Sequence, residues 1–558
     1  MDKRLLIALL LTAIVVAVTP VLFPTKRAPV PAAAQKDSVT TAPPAASTSN
    51  ANQQQPSAAL ETRALTPVAD SADTVASTPT AVSPEITSVN TPRSIYRFTN
   101  FGAAPVSVSM RDYKNLSHND GPVEISTTGR SLLHYSLVLR GDTIPLDRIP
   151  FQLQQSQGTN GQTLLTYRAA VNGANVAIAY DIDPSRYILK TSGRVENTQG
   201  TAFLLIDMPS NMPITEADSV SDLRTRSYSY KPARSNARGV PFAKLDSAET
   251  KLEAEPITWA AVRNKYFVVG VISPAGATFD EMTITGAPRV GKIARDASAT
   301  VVKAVKNGTF AFDIYVGPQQ QTQLLSVGRD FDHVNPYGWS FLQPVVNPIA
   351  ALCIKLLLWL HDTLKVSYGW VLILFGVLIR LLLWPLNQTA MRSQLKMQEL
   401  QPRLAEIQKK YKDNPDKQRQ EMMRVYSEAG TSPFAALSGC LPMLLPMPVL
   451  FALFFVFQNT IEFRGVPFLW LTDISIKDPY YILPLLMGIS MYLLSWIGLR
   501  NAPPNPQAKM MSYMFPVMMT FFLASMASGL NLYYTAQNIA ALPQQWILAK
   551  ERQKARRT

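Results

Sequence analysis

The chain has 558 residues, 47% hydrophobic and only 16% charged, with a formal net charge of +14. Its apolar residues gather at 5–23 and again after 337, which excludes a single soluble globular domain and indicates membrane segments around a water-soluble part. The basic excess suits cytoplasmic loops that orient membrane spans, with ribosomal RNA as an added partner.

The first segment reads MDKRLLIALLLTAIVVAVTPVLFP, with Lys3 and Arg4 ahead of an uncharged run over 5–23. Signal-peptide cores stop nearer 7–15 residues, so residues 1–24 are expected to be a retained transmembrane anchor with its N-terminus inside. Residues 25–92 are Pro, Ala, Ser, Thr and Gln, and no aromatic residue occurs between Phe23 and Tyr96. Such a stretch buries too little apolar surface to offset its chain entropy and is expected to be a disordered linker.

Residues 93–330 change character. In TFAFDIYVG, Phe310, Phe312, Ile314 and Val316 share one face, and Ala311, Asp313 and Tyr315 the other. That is the strand period of two. Residues 176–183, 187–197 and 265–273 read the same way. Asn172-Gly173, Asp183-Pro184 and Asn307-Gly308 supply turns. The expected fold is a large antiparallel β-sandwich on the periplasmic side, over 200 residues long.

Residues 331–365 lead into the membrane. The helical stretch 341–365 carries Lys355, His361, Asp362 and Lys365 among Leu and Trp, with Pro344 and Pro348 near its start. That mixture predicts a helix lying in the interface on the outer side. Five spans follow, at 366–386, 436–458, 480–499, 513–527 and 530–548, within a core of 366–548. Ser528-Gly529 allows only a tight turn between the last two.

The loops set the orientation. Residues 387–435 hold nine Lys and Arg, among them Arg392, Lys396, Arg403, Lys409 and Lys410, whereas residues 459–479 hold only Arg464 and Lys477. The tail 549–558 is again basic. Positive loops stay inside, so six spans with both termini in the cytoplasm satisfy every loop. Within 387–435, Met397, Leu400, Leu404, Ile407 and Tyr411 recur at helical spacing. Asp413-Asn414-Pro415-Asp416 breaks the pattern, and a second helix runs through Glu421, Met422 and Tyr426. This predicts a cytoplasmic helical hairpin with a basic surface. A solvated hairpin with only a topological role is the alternative.

No nucleophile elbow, P-loop, dinucleotide fingerprint or zinc motif occurs, so an enzyme is not expected. Cys353 and Cys440 fall on opposite sides of the predicted membrane. His118, His134, His333 and His361 are isolated from one another and from both cysteines. No disulfide, metal or other cofactor is expected.

Arg380, in GWVLILFGVLIRLLLWPL, lies about 9 Å inside the cytoplasmic end of its span. An Arg near a span centre costs roughly 2.5–3.5 kcal/mol on insertion scales. None of the five C-terminal spans contains Asp or Glu. An ion pair within the bundle is thereby excluded, and Arg380 is expected to face a wet cavity. In the last span Asn531, Tyr534 and Asn538 share a helical face, flanked by Gln537 and Tyr533. These are candidate groove residues, or polar glue between helices. A cytoplasm-open cavity with one Arg and several amides suits transient capture of polar chain segments.

Four stretches carry a family resemblance: SGCLPMLLPMPVLFALF (438–454), DPYYILPLLMG (478–488), SGLNLYYTAQN (528–538), and Arg380 followed by Trp384-Pro385-Leu386. Over roughly 335–550 the chain resembles the YidC family of membrane protein insertases, relatives of the mitochondrial Oxa-type proteins. The anchor, linker and β-domain resemble its Gram-negative version, in the bacterial inner membrane. The resemblance implies a hydrophilic groove containing Arg380 that accepts a substrate's polar tail while the apolar span moves into lipid. It implies as partners nascent membrane proteins, membrane lipids, the Sec translocon, and the ribosome through cytoplasmic loops and tail. Two positions depart: Pro446 stands where Gln is frequent, and Gly376 where a hydroxyl residue is common. Two other functions remain open on the residues alone. One is a secondary transporter binding a small anion at Arg380; the other is an envelope scaffold built on the β-domain.

Overall fold

The computed structural model describes residues 83–117, 121–127, 131–158, 161–197, 200–246, 249–287, 296–335, 343–385, 387–388, 400, 403–412, 414–428, 447–500 and 506–555. The anchor and most of the linker expected at 1–92, together with Cys440, Arg392, Lys396 and the first part of the third span, lie outside the described residues.

Nineteen strands are described between Ile86 and Pro318, in three antiparallel sheets. β1 (Ile86–Asn90) to β4 (Pro122–Ser126) form a four-stranded sheet in sequential order. A nine-stranded sheet runs, edge to edge, through Arg238–Pro241, Ser227–Pro232, Ile257–Arg263, Phe267–Ile272, Thr309–Pro318, Ile188–Glu196, Ala174–Ile182, Thr163–Val171 and Gln152–Gln157, and a six-stranded sheet through Thr250–Glu253, Glu281–Gly286, Ala297–Val305, Ala202–Asp207, His134–Leu139 and Asp142–Pro145. One continuous apolar core joins all three, from Val89 and Tyr96 to Val316 and Phe331. The alternation read from TFAFDIYVG is that of β19 (Thr309–Pro318), whose Phe310, Phe312 and Ile314 are buried while Ala311 and Asp313 are half-exposed. The turn residues also fall where the period stops. Asn172 and Gly173 join β8 (Thr163–Val171) to β9 (Ala174–Ile182) with φ of 45° and 82°. Positive φ at both central residues matches the twist of a two-residue hairpin.

One boundary needs correction. Residues 25–92 were expected to be linker throughout, yet β1 lies inside that range and pairs with β2 (Ser94–Thr99) from Ile86↔Thr99 to Asn90↔Ile95. ITSVN is short and mostly exposed, so composition marks it as linker. Backbone pairing to β2, which no composition reports, makes it an edge strand.

The chain then becomes helical. Short α1 (Ser219–Thr225) and α2 (Gln321–Val327) belong to the β-domain. They are followed by α3 (Gln343–Leu364), α4 (Tyr368–Leu382), α5 (Pro415–Glu428), α6 (Met447–Asn459), α7 (Ile482–Leu499), α8 (Pro506–Leu523) and α9 (Ser528–Ala555). α9 packs against α4 and α7, α7 against α8, and α6 against α3, around a second apolar core. Among the described residues, two helices are long and apolar enough to cross a membrane: α3, with 22 residues and mean hydropathy 1.5, and α7, with 18 residues and mean hydropathy 1.9. Apolar stretches of α4, α6 and α8 are shorter. By length and hydropathy α3 fits a span as well as the interfacial helix expected over 341–365. Pro348 lies inside the helix and does not interrupt it.

α5 begins with Pro415 directly after Asn414, whose Oδ1 accepts from Lys417 N at 3.1 Å. An Asn cap followed by Pro at the first helical position is a strong start signal. Val425 of α5 packs on Leu404 of the helical residues 403–410, with Leu400, Ile407, Met422 and Tyr426 around them. Arg403, Lys409 and Lys410 are exposed on the first of these segments.

The two cores are joined by the loop after α6. Ile461 enters the β-domain core, whereas Phe463, two residues later, enters the helical core and stacks on Phe457 with centroids 4.9 Å apart.

Candidate functional site

α4 starts at the β-domain end of the helical core, where Gly369 lies against Phe468; a Cβ at Gly369 would come within 2.0 Å of that ring. Twelve residues on, at a rise of ~1.5 Å each, Arg380 lies about 18 Å from that end. α9 also starts at the β-domain end. Ser528 N donates to Ile476 O at 2.7 Å and Gly529 N to Ile474 O at 2.9 Å. The two helices run side by side from there. Gly376 makes this close approach possible: a Cβ there would sit 3.0 Å from Tyr533 O and 3.3 Å from the Ala536 Cβ. The glycine that departs from the family's usual hydroxyl residue is thus a helix-packing residue here.

Arg380 is 8% exposed. Its Nη2 donates to Gln544 Oε1 at 2.7 Å. Gln544 is fully buried, and its Nε2 donates to Trp384 O at 3.2 Å and to Gln388 Oε1 at 3.3 Å. Nε of Arg380 has no hydrogen-bond partner among the described residues. The guanidinium lies between α4 and α9, and an amide from the middle of α9 meets its Nη2. A neutral acceptor satisfies one guanidinium nitrogen and leaves its charge uncompensated.

The other predicted residues divide between two faces of α9. At ~100° per residue, Tyr533, Gln537 and Gln544 lie within about 40° of one another. This face meets α4, with Tyr533 packed on Phe375 at 5.8 Å between centroids. Asn531, Tyr534 and Asn538 form a second stripe, centred about 110° around the helix from the first. Asn531 Nδ2 donates to Leu523 O of α8 at 3.0 Å, and Asn538 Nδ2 to Ser490 Oγ of α7 at 3.0 Å. These two amides tie α9 to its neighbours, which is the polar-glue alternative, and neither bonds to Arg380. Tyr534 packs edge-on against Tyr533 at 5.4 Å.

Sequence reasoning missed Gln544. Its signal was available: it lies eleven residues beyond Tyr533, close to three helical turns, and so returns to the same face. It also missed the role of Asp478 in DPYY. That carboxylate is buried and accepts from Leu483 N at 2.8 Å, Tyr480 N at 3.0 Å and Trp470 Nε1 at 3.3 Å, holding the start of α7.

Two family models match the chain: 60Kd inner membrane protein over residues 359–556, and YidC periplasmic domain over residues 87–351. A relative from Chlorobaculum tepidum, a membrane protein insertase YidC, is 33% identical over 399 residues, covering 66% of this chain and 65% of its own length. Another of the same name, from Francisella philomiragia subsp. philomiragia, is 30% identical over 472 residues and covers 81% of each chain. The chain belongs to the YidC family of membrane protein insertases. Among solved structures, an active YidC insertase with its first transmembrane domain resolved is 17% identical, over 84% of this chain and 93% of that one, with a TM-score of 0.33. The family's two models divide this member between 351 and 359, within α3, where the β-rich part gives way to the helical core.

Proposed function

We propose that the protein inserts and folds newly made integral membrane proteins, with Arg380 as the charge that draws a substrate's polar tail partway into the bilayer. The observation that carries this reading is the Arg380–Gln544 contact. A guanidinium lies buried between two helices of the membrane core, the spans 366–386 and 530–548 on those helices contain no Asp or Glu, and its partner is a displaceable neutral amide. Attraction between this charge and an incoming carboxylate is several-fold stronger in a partly dry site than in water. The groove would open toward the end of α4 away from the β-domain, lined by Tyr533 and Gln537 beside Arg380.

In this reading the chain has six spans, including the N-terminal anchor, with both termini in the cytoplasm and the β-domain in the periplasm. α3 then lies in the outer interface. The basic hairpin and tail meet the ribosome, and the protein works alone or with the Sec translocon. The charge pattern of the loops supports this arrangement. So does the packing of the 459–479 loop on the β-domain. Transport of a small anion has less support, because no paired broken helices repeat among the described residues.

The test is insertion into proteoliposomes of one single-span substrate with matched neutral and acidic tails. Arg380→Lys should retain much of the activity, Arg380→Ala should lose more, and Arg380→Glu most, with the acidic tail affected most strongly. Equal wild-type rates for both tails with Arg380→Ala would reject the groove-charge mechanism.

A further inference from the structure

We infer that Gln544 is a positioning residue that holds the Arg380 guanidinium as an uncompensated cation and is displaced by the substrate's carboxylate. The inference rests on the reading of Arg380 given above and extends it to a residue on the opposite helix.

The hydrogen-bond pattern dictates which way the amide points. Gln544 Nε2 faces two acceptors, the Trp384 carbonyl and Gln388 Oε1, so the NH2 group must lie on that side. Its Oε1 is left facing Arg380 Nη2, at 2.7 Å. α4 and the residues just after it thus orient the amide, and the amide orients the guanidinium. A neutral acceptor is well suited to this place. It satisfies one donor of a buried cation without cancelling the charge, whereas a carboxylate would form a charge-assisted bond roughly twice as strong and hold the cation permanently. An arriving carboxylate on a substrate tail would exchange the weaker neutral acceptor for a charged one. The nearby unpartnered Nε offers a second donor, and two parallel N–H bonds are the geometry a carboxylate prefers. Gln544 therefore acts through Arg380, and its influence should scale with substrate charge.

The experiment uses the full-length protein in proteoliposomes with the matched neutral- and acidic-tail substrates, comparing Gln544→Glu, Gln544→Met and Arg380→Ala. Gln544→Glu supplies an internal counter-ion, so acidic-tail insertion should fall about tenfold, the effect of a charged over a neutral acceptor, while the neutral tail changes less than about threefold. Gln544→Met keeps the volume and removes the acceptor. It should lower acidic-tail insertion less than Arg380→Ala does, because the charge remains but is no longer aimed. The readout is the ratio of acidic to neutral rates, which a general loss of folding would not move. If Gln544→Glu accumulates poorly, the Gln544→Met ratio decides. Wild-type ratios for both Gln544 variants, with a reduced ratio for Arg380→Ala, would overturn the positioning role and leave the Arg380 reading standing. A wild-type ratio for Arg380→Ala would overturn both.

Discussion

Arg464 and Glu216 are 248 residues apart in sequence, yet Arg464 Nε lies 2.8 Å from Glu216 Oε1 and 3.0 Å from Oε2, with both side chains 5% exposed. Arg464 Nη2 also donates to Thr215 O at 3.1 Å, and its guanidinium lies over the Phe267 ring, 5.5 Å from the centroid. Glu216 belongs to the β-domain and Arg464 to the loop between α6 and α7. The β-domain is therefore fastened to the helical core by a buried ion pair as well as by the continuous chain.

Removing one partner of this pair should loosen that joint. Arg464→Met leaves a buried carboxylate without its cation and should cost about 3–5 kcal/mol, whereas the double variant Glu216→Met with Arg464→Met should recover most of the loss. Thermal unfolding of the purified protein in detergent measures both. A double variant as unstable as the single one would refute the assignment.

Stability should also depend on the protonation of Glu462, the neighbour of these residues. Burial pushes its carboxyl up to about 7, against backbone N–H groups of Glu462 and Gln321 that stabilise the anion. Its Oε1 has no hydrogen-bond partner among the described residues. The folded state thus keeps a proton that the unfolded chain releases near about 4.3. This contribution is greatest below the unfolded value, declines as pH rises from about 4.3 to about 7, and levels off above that. Burial raises Glu216 as well, with the same sign. Glu462→Gln should flatten the wild-type decline and be the more stable protein at about pH 8. A steeper decline in the variant would contradict this origin.

Gly376 should tolerate little. Gly376→Val must push Tyr533 and Ala536 away, and overpacking of this kind costs about 1–3 kcal/mol. Separating α4 from α9 should also lengthen the Arg380–Gln544 contact. Disulfide trapping between cysteines introduced on the two helices reports the spacing, and trapping as fast as in the glycine parent would show that the helices accommodate the side chain.

Asp478→Ala should destabilise the start of α7 by about 1–2 kcal/mol, because the Leu483 and Tyr480 N–H groups lose their acceptor. Asp478→Asn keeps one acceptor oxygen and should lose less. Hydrogen exchange at the first turn of α7 is the measurement; unchanged exchange in Asp478→Ala would argue against the cap.

Much of the β-domain was legible because strand burial alternates with a period of two. Asn172-Gly173 marks a turn through positive φ, a local property of those residues. β1 was not legible, since ITSVN becomes a strand only by pairing with β2. In α9, spacing identified polar stripes but not their partners. Asn531 and Asn538 have the same amide as Gln544, yet they bind α8 and α7 while Gln544 binds Arg380. Which stripe faces which helix depends on the rotation of α9, and close packing at Gly376 decides that.

The sequence by itself determined the division into a β-rich part and a helical membrane part, and the lone Arg380 among carboxylate-free spans. These follow from hydropathy, period and charge, which are carried residue by residue along the chain. Only the tertiary structure decided that Gln544 holds Arg380 across 164 positions and that Glu216 meets Arg464 across 248. Such contacts arise from how rigid elements pack, and a one-dimensional pattern specifies the faces of those elements without specifying which faces touch.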